Sequence, residues 1–204
     1  TYVLYGPLTS QTVGGLGDVI NGETAGDSFG RFTGSMGDFD ANGYDDLIVG
    51  APNQDSGGTQ AGAAYLFLNP GDSDTPFSGL TPADADIMVM GEGAADYLGG
   101  VVVGVGDVDD DGYDDFLAGA KNYNVAGVSS TSYGAAYLVM GAATIADSAF
   151  DGDEGGHRLM GEGHNDALGG GMAGLDVNGD GVGDILLGAD LNDGNGTDSG
   201  VFYV

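Results

Sequence analysis

The sequence predicts an all-β chain of three repeats, each about 69 residues long and built from four antiparallel strands. Three observations lead there. The chain is self-similar at a fixed period: Gly43, Gly112 and Gly181 lie 69 residues apart, each in an Asp-rich segment followed by a short apolar run. Glycine fills 43 of the 204 positions, and an interior glycine costs a helix about 1 kcal/mol relative to alanine. No segment sustains a helical period over the roughly 11 residues that would identify one. The apolar runs are short, rich in β-branched residues and bounded by Gly, Asp, Asn or Pro, which is the pattern of strands.

Within the first repeat four strands are expected: A from Phe29 to Met36, B from Asp46 to Ala51, C from Gly62 to Leu68 and D from Asp86 to Gly91. Strand C closes each copy, as Gly62-Ala-Ala-Tyr-Leu-Phe, Gly134-Ala-Ala-Tyr-Leu-Val and Gly200-Val-Phe-Tyr-Val. Gly22-Glu23, Gly91-Glu92 and Gly161-Glu162 open the copies. The expected divisions are 1–21, outer strands of a preceding unit; 22–90, repeat 1; 91–160, repeat 2; and 161–204, repeat 3 without its outer strand. Copy three is one residue shorter between Gly169 and Asp176 than copy two is between Gly99 and Asp107, so a small local change is expected there. Tyr2, Tyr65, Tyr137 and Tyr203 recur at one strand-C position and read as packing residues.

Each A-to-B connection carries oxygen ligands at loop positions 1, 3, 5 and 9, with Gly at 6. These are Asp38, Asp40, Asn42 and Asp46; Asp107, Asp109, Asp111 and Asp115; and Asp176, Asn178, Asp180 and Asp184. Alternate residues of a tightly curled loop point inward, the Gly permits the sharp turn, and the carbonyl at position 7 (Tyr44, Tyr113, Val182) can add another oxygen. Hard oxygen donors without His or Cys select calcium, and about three Ca2+ ions are expected. A helix-loop-helix calcium site needs Glu at position 12. Here that position is Val49, Ala118 and Leu187, inside strand B, which leaves a β-hairpin loop. Ten of the twelve side-chain positions are carboxylates, which repel one another without metal, so the ion is expected to be structural and coupled to folding.

Four antiparallel strands repeated at a fixed period mark a β-propeller blade or a related array. The chain resembles the FG-GAP repeats of integrin α-subunit propellers and related bacterial or archaeal secreted proteins. Phe29-Gly30, Leu98-Gly99 and Leu168-Gly169 carry the first half of the motif; Gly50-Ala51-Pro52, Gly119-Ala120-Lys121 and Gly188-Ala189-Asp190 carry the second. Only the first copy keeps both letter for letter. The resemblance implies that strand A lines a central channel and strand D lies outermost. It also implies an extracellular or cell-surface module for adhesion, binding or assembly, with a protein or glycan ligand held on the loops of one face.

With 32 acidic and 3 basic side chains and a formal charge of -29, the chain cannot neutralise phosphates, so nucleic acid and direct membrane insertion are not expected. Cysteine is absent, which excludes disulfides and thiolate chemistry. No catalytic motif stands outside the metal loops, so the chain is read as non-catalytic, with an accessory role beside a secreted hydrolase as one alternative. The other alternative is a self-assembling surface or filament protein. The chain begins and ends inside strand C, so unpaired edges would seek partners, either in a longer array or in copies that complete one another's blades. The acidic stretches Asp147 to Glu154 and Asp190 to Asp198 read as solvated loops, and His157 and His164, outside the repeat, as surface residues.

Overall fold

The structure is a computed structural model and describes residues 1–4, 17–71, 76–125, 132–144, 149–151, 157–194 and 196–204. Its described residues form β-strands joined by turns, with a single 3-10 turn at Pro82–Asp84 and no α-helix. The all-β fold of antiparallel blades expected from the repeat is what the chain adopts.

Two strands at the start, β1 (Tyr2–Val3) and β2 (Asp18–Val19), pair antiparallel. The next blade is β3 (Phe32–Gly37), β4 (Asp46–Ala51), β5 (Ala63–Phe67) and β6 (Ile87–Met90), hydrogen-bonded in chain order. Its neighbour contains β7 (Val101–Gly106), β8 (Asp115–Ala120), β9 (Ala135–Val139) and β11 (His157–Met160). A three-stranded sheet follows, from β12 (Gly171–Leu175), β13 (Asp184–Ala189) and β14 (Val201–Tyr203). The first-motif dipeptides Phe29-Gly30, Leu98-Gly99 and Leu168-Gly169 precede strands β3, β7 and β12 instead of opening them. At Gly30, Gly99 and Gly169 φ is +83°, +79° and +85°, a left-handed turn that ends the extended backbone.

The remaining strand, β10 (Ala149–Asp151), pairs parallel with β6 through Ala149–Met88, Phe150–Val89 and Asp151–Met90. This corrects the expectation of a solvated loop over Asp147 to Glu154, whose other residues lie outside the described ones. The cause is the outer edge of β6, where unpaired backbone groups accept one more strand.

The two four-stranded blades are apolar on both faces because each lies between neighbours, whereas the three-stranded sheet is covered on one side. Along β5, Ala64 and Leu66 join the core shared with β7 to β9, while Ala63, Tyr65 and Phe67 join the core on the opposite side with Ile20. This is why β5 and β9 are buried at every position instead of alternating. Tyr65 and Tyr137 are 5% and 1% exposed and pack in these cores, whereas Tyr2 is 52% exposed.

Strands β3, β7 and β12 pack side by side on the inner edge. In β3 and β7 a β-bulge leaves Met36 and Val105 without a ladder partner, and both turn into the core. In the third copy the ladder from Gly171–Gly188 to Leu175–Asp184 is continuous. The single missing residue is therefore the bulge; Leu175, at the end of the unbulged strand, is 48% exposed.

The blades approach backbone to backbone. A Cβ on Gly50 would lie 2.1 Å from the Gly99 carbonyl oxygen of the next blade, and one on Gly119 would lie 2.3 Å from the Gly169 oxygen. At Gly188 the nearest atom would be 3.4 Å away, the Gly171 oxygen within its own sheet. We expect Gly119→Ala to cost about 1–3 kcal/mol by overpacking. Gly188→Ala, in this 204-residue chain, should change the urea midpoint by a small fraction of that shift; equal midpoints for the two variants would refute the backbone contact.

Candidate metal centre

The loop between β3 and β4 is shaped by its own carboxylates. Asp38 accepts hydrogen bonds from the Asn42 and Gly43 amides, both at 2.8 Å, and the Asn42 side chain accepts one from the Tyr44 amide at 2.9 Å. The β7–β8 loop repeats this. Asp107 accepts from Asp111 at 3.1 Å and Gly112 at 2.8 Å, and Asp111 accepts from Tyr113 at 3.0 Å. In the β12–β13 loop Asp176 accepts from Asp180 and Gly181, and Asp180 from Val182. Gly at position 6 has φ of +94°, +94° and +92° in the three loops. Position 4 is left-handed as well, at Ala41 and Asp110, where a non-glycine residue bears the strain, and at Gly179.

Position 9 closes each loop from below. Asp46, 3% exposed, receives the Phe39 and Asn69 amides at 2.8 Å each; Asp115, fully buried, receives Val108 at 2.8 Å and Gly141 at 2.7 Å. Asp184 receives Val177 at 2.8 Å. In the first two loops this acid thus ties its loop to the end of the third strand of its blade. Burial pushes the Asp46 carboxyl up to about 6 against the pull of those amides, and Asp40 and Asp38 add to the rise.

The sequence-derived positions converge unequally. Asp38, Asp40 and Asp46 each present an oxygen within 4.8 Å of the others, and so do Asp107, Asp109 and Asp115. Among the described residues these are the two groups of three acids close enough to hold one ion. Asp176, Asp180 and Asp184 do not form such a group, since the third loop has the amide Asn178 where the others have Asp40 and Asp109. Asn42 and Asp111 spend a side-chain oxygen on a backbone amide inside the loop, and Tyr44 is 48% exposed with its ring over Gly71. A set of carboxylate oxygens around one point, without nitrogen or sulfur, fits a hard divalent cation.

A second set of acids escaped the sequence reading. Asp96 and Asp166 are 2% and 3% exposed and accept the Gly93 and Gly163 amides at 2.8 Å and 2.6 Å. They hold the turn in which Tyr97 and Ala167 have φ of +57°. Burial pushes Asp96 up to about 6, opposed by the Gly93 and Asn124 amides and reinforced by Glu92. The recurrence of Asp27, Asp96 and Asp166 three residues before each motif glycine was the available signal. Glu92 is held by Arg158 at 2.6 Å and by the Tyr137 hydroxyl at 2.8 Å. His157 and His164 are exposed; His164 lies 4.9 Å from the Tyr133 ring. In the Asp190 to Asp198 stretch, Asp193 accepts the Asp198 amide at 2.8 Å.

Two outcomes follow from these acids. Asp109 is raised by desolvation and then by Asp111 and Asp107, so in chelator the change Asp109→Asn should raise the melting temperature while weakening divalent-ion binding. Asp115→Ala should lower the melting temperature even in chelator, with a loss of roughly 2–4 kcal/mol of stability, because two amides lose their buried acceptor, and should lower it further in excess metal because one of the three converging acids is gone. Asp96 has the opposite pH signature to an acid-stabilising salt bridge. Its folded pKa lies above the unfolded value, so its contribution is fully present below about pH 4 and is lost as pH rises through about 6. Asp96→Asn should therefore lower overall stability yet flatten the melting-temperature slope between pH 4 and 6.5; an unchanged slope would refute the assignment.

Comparison with known proteins agrees with this geometry. Residues 32–67, from β3 through β5 and including the first acidic loop, match the FG-GAP repeat family. The chain is also 33% identical over 107 residues, 52% of its length, to "Integrin alpha-6" of Gallus gallus. The matched segment spans 9% of that relative.

Proposed function

We propose that this FG-GAP repeat protein is a calcium-stabilised extracellular β-propeller module that binds a protein or glycan ligand and is itself non-catalytic. The observation that carries the reading is the convergence of Asp38, Asp40 and Asp46, and of Asp107, Asp109 and Asp115, at the same end of adjacent blades. Calcium is the ion that such loops suit. They offer only oxygen and present several protein donors at once, where magnesium would keep more of its water. Asp46 and Asp115 anchor the loop floor, and Asp38 and Asp107 fix its curl. Asp40 and Asp109 are the acids whose charge the ion chiefly offsets. Bound calcium supplies positive charge where carboxylates otherwise repel.

The use of the acids supports binding in place of catalysis. The acids of both clusters are engaged by backbone amides or crowded by like charge, and neither arrangement leaves a proton acceptor beside a cleft. An extracellular setting supplies calcium at the concentrations such loops need. The likeness to an integrin α-subunit favours adhesion as the biological use. Among the described residues no helix is long and apolar enough to cross a membrane.

Calcium titration into the chelated chain, followed by calorimetry and thermal melting, tests this. Saturable binding should raise the melting temperature by several degrees, and magnesium at equal concentration should raise it less. A melting temperature indifferent to EGTA would overturn the calcium assignment.

A further inference from the structure

The three basic residues of the chain are used in two different ways. Arg158 is spent on Glu92 across the β9–β11 region, with its guanidinium 5.1 Å from the Tyr123 ring centre. Arg31 and Lys121 are exposed and, among the described residues, make no ion pair despite 32 acidic side chains in the sequence. Both line one open cavity of about 470 Å³ at the inner end of the blades, together with Phe32, Asn53, Tyr97 and Asn122. The repeat explains their meeting. Arg31 follows the first-motif glycine of one blade, Lys121 follows the second-motif Gly119-Ala120 of the next, and the glycines of the third leave the floor bare.

This cavity is distant from the metal loops. It opens where β3 and β7 begin, and the acidic loops lie where those strands end, six residues on, or about 20 Å at strand rise. The two free cations therefore sit at the end away from the converged carboxylates. Aspartate occupies the corresponding position of the third copy, Asp190, and does not line the cavity.

We infer that the cavity binds a carboxylate-bearing saccharide of the uronic acid type, with Arg31 and Lys121 receiving the carboxylate. The chain's net charge of -29 repels a polyanion, so the anion must be compact and bring neutral polar surface with it. The lining matches that description. Asn53 and Asn122 offer amide groups for hydroxyls, and the 37% exposed Phe32 ring offers an apolar face for a sugar ring, with the Arg31 guanidinium 5.9 Å from its centre. Lys121 is braced along the neighbouring blade, since a Cβ at Gly170 would lie 3.8 Å from its Cβ and Cδ. The volume is in the range of small-ligand sites and takes one or two sugar rings.

This assignment names a ligand class for the binding module proposed above and rests on that reading. The test is saturation-transfer NMR and calorimetry on the full chain in calcium, with D-glucuronate, D-glucose and acetate as probes. Glucuronate should bind saturably and more tightly than acetate, and glucose should not bind. Arg31→Gln and Lys121→Gln should each weaken binding about tenfold, the loss of one charge-assisted hydrogen bond, and raised salt should weaken it further. Both variants are exposed changes that should leave the calcium-dependent melt unaltered. No glucuronate binding, binding unchanged in both variants, or equal binding of glucose or acetate would overturn the inference. If the melt still responds to EGTA in that case, only the ligand class fails; if it does not, the calcium-stabilised module fails as well.

Discussion

The structure depends on how closely neighbouring blades approach at their inner ends. Gly50 faces Gly99, and Gly119 faces Gly169, at distances that admit no side chain. Around the same point Gly62 bridges to Leu98 and Gly134 to Leu168, so the loop before each inner strand is stitched to the blade before it. The two halves of the FG-GAP motif are thus the two sides of one contact, the second half of one blade meeting the first half of the next. Further along the inner strands the bulged residues take over. A Cβ at Gly104 would lie within 2.5–2.8 Å of the Met36 backbone, and one at Gly174 would lie 2.2 Å from the Val105 Cα. Apolar burial between neighbouring blades supplies the driving force, and these glycines set the spacing at which it is collected.

That contact also determines where charge can go. Residues following the motif glycines are crowded towards the inner end and cannot all be acidic without repelling one another across blades. Arg31, Gly100 and Gly170 occupy the equivalent positions, one cation and two glycines. At the opposite end the loops bow outward, and acids gather within single loops. The blades still touch there: the Asp38 amide donates to the Asp114 carboxylate at 2.8 Å, and the Gly183 amide to the Asp107 carbonyl at 2.8 Å. A cation bound in one loop therefore acts on an element that its neighbour already grips.

The strands and the register of the acidic loops were legible because burial on both faces writes continuous apolar runs, and because position 9 opens the second strand of each blade. The missing residue of copy three was legible as a length difference, but that it was a bulge depended on pairing. Four features were hidden. The strand at Ala149–Asp151 has its partner in another blade, and its Asp- and Gly-rich flanks look like any solvated loop. Asp96 and Asp166 recur as regularly as the metal-loop acids, yet a short carboxylate before a turn reads as surface until its burial is known. The left-handed backbone at Ala41 and Asp110 is masked because only the third copy places glycine there. The cavity was invisible for a related reason: Arg31 and Lys121 are 90 residues apart and occupy different motif positions.

The hydrogen bonding separates what the loop does from what an ion would do. Asp38 and Asp46 in one loop, and Asp107 and Asp115 in the next, already satisfy the backbone amides that define the curl. The loop shape is therefore encoded by carboxylate-to-amide bonds that need no metal. Those bonds, however, force the acids to face one another with part of their charge desolvated, as the raised Asp46 and Asp109 show. Protonation and a divalent cation are alternative ways to relieve the same repulsion. Near neutral pH, above the Asp46 value of about 6, protonation is withdrawn and a bound cation would be the remaining way to relieve it. The third loop, with Asn178 in place of a carboxylate, carries less of this repulsion and gains less from an ion. Ion affinity and metal-free stability should thus trade against each other from loop to loop along the same chain.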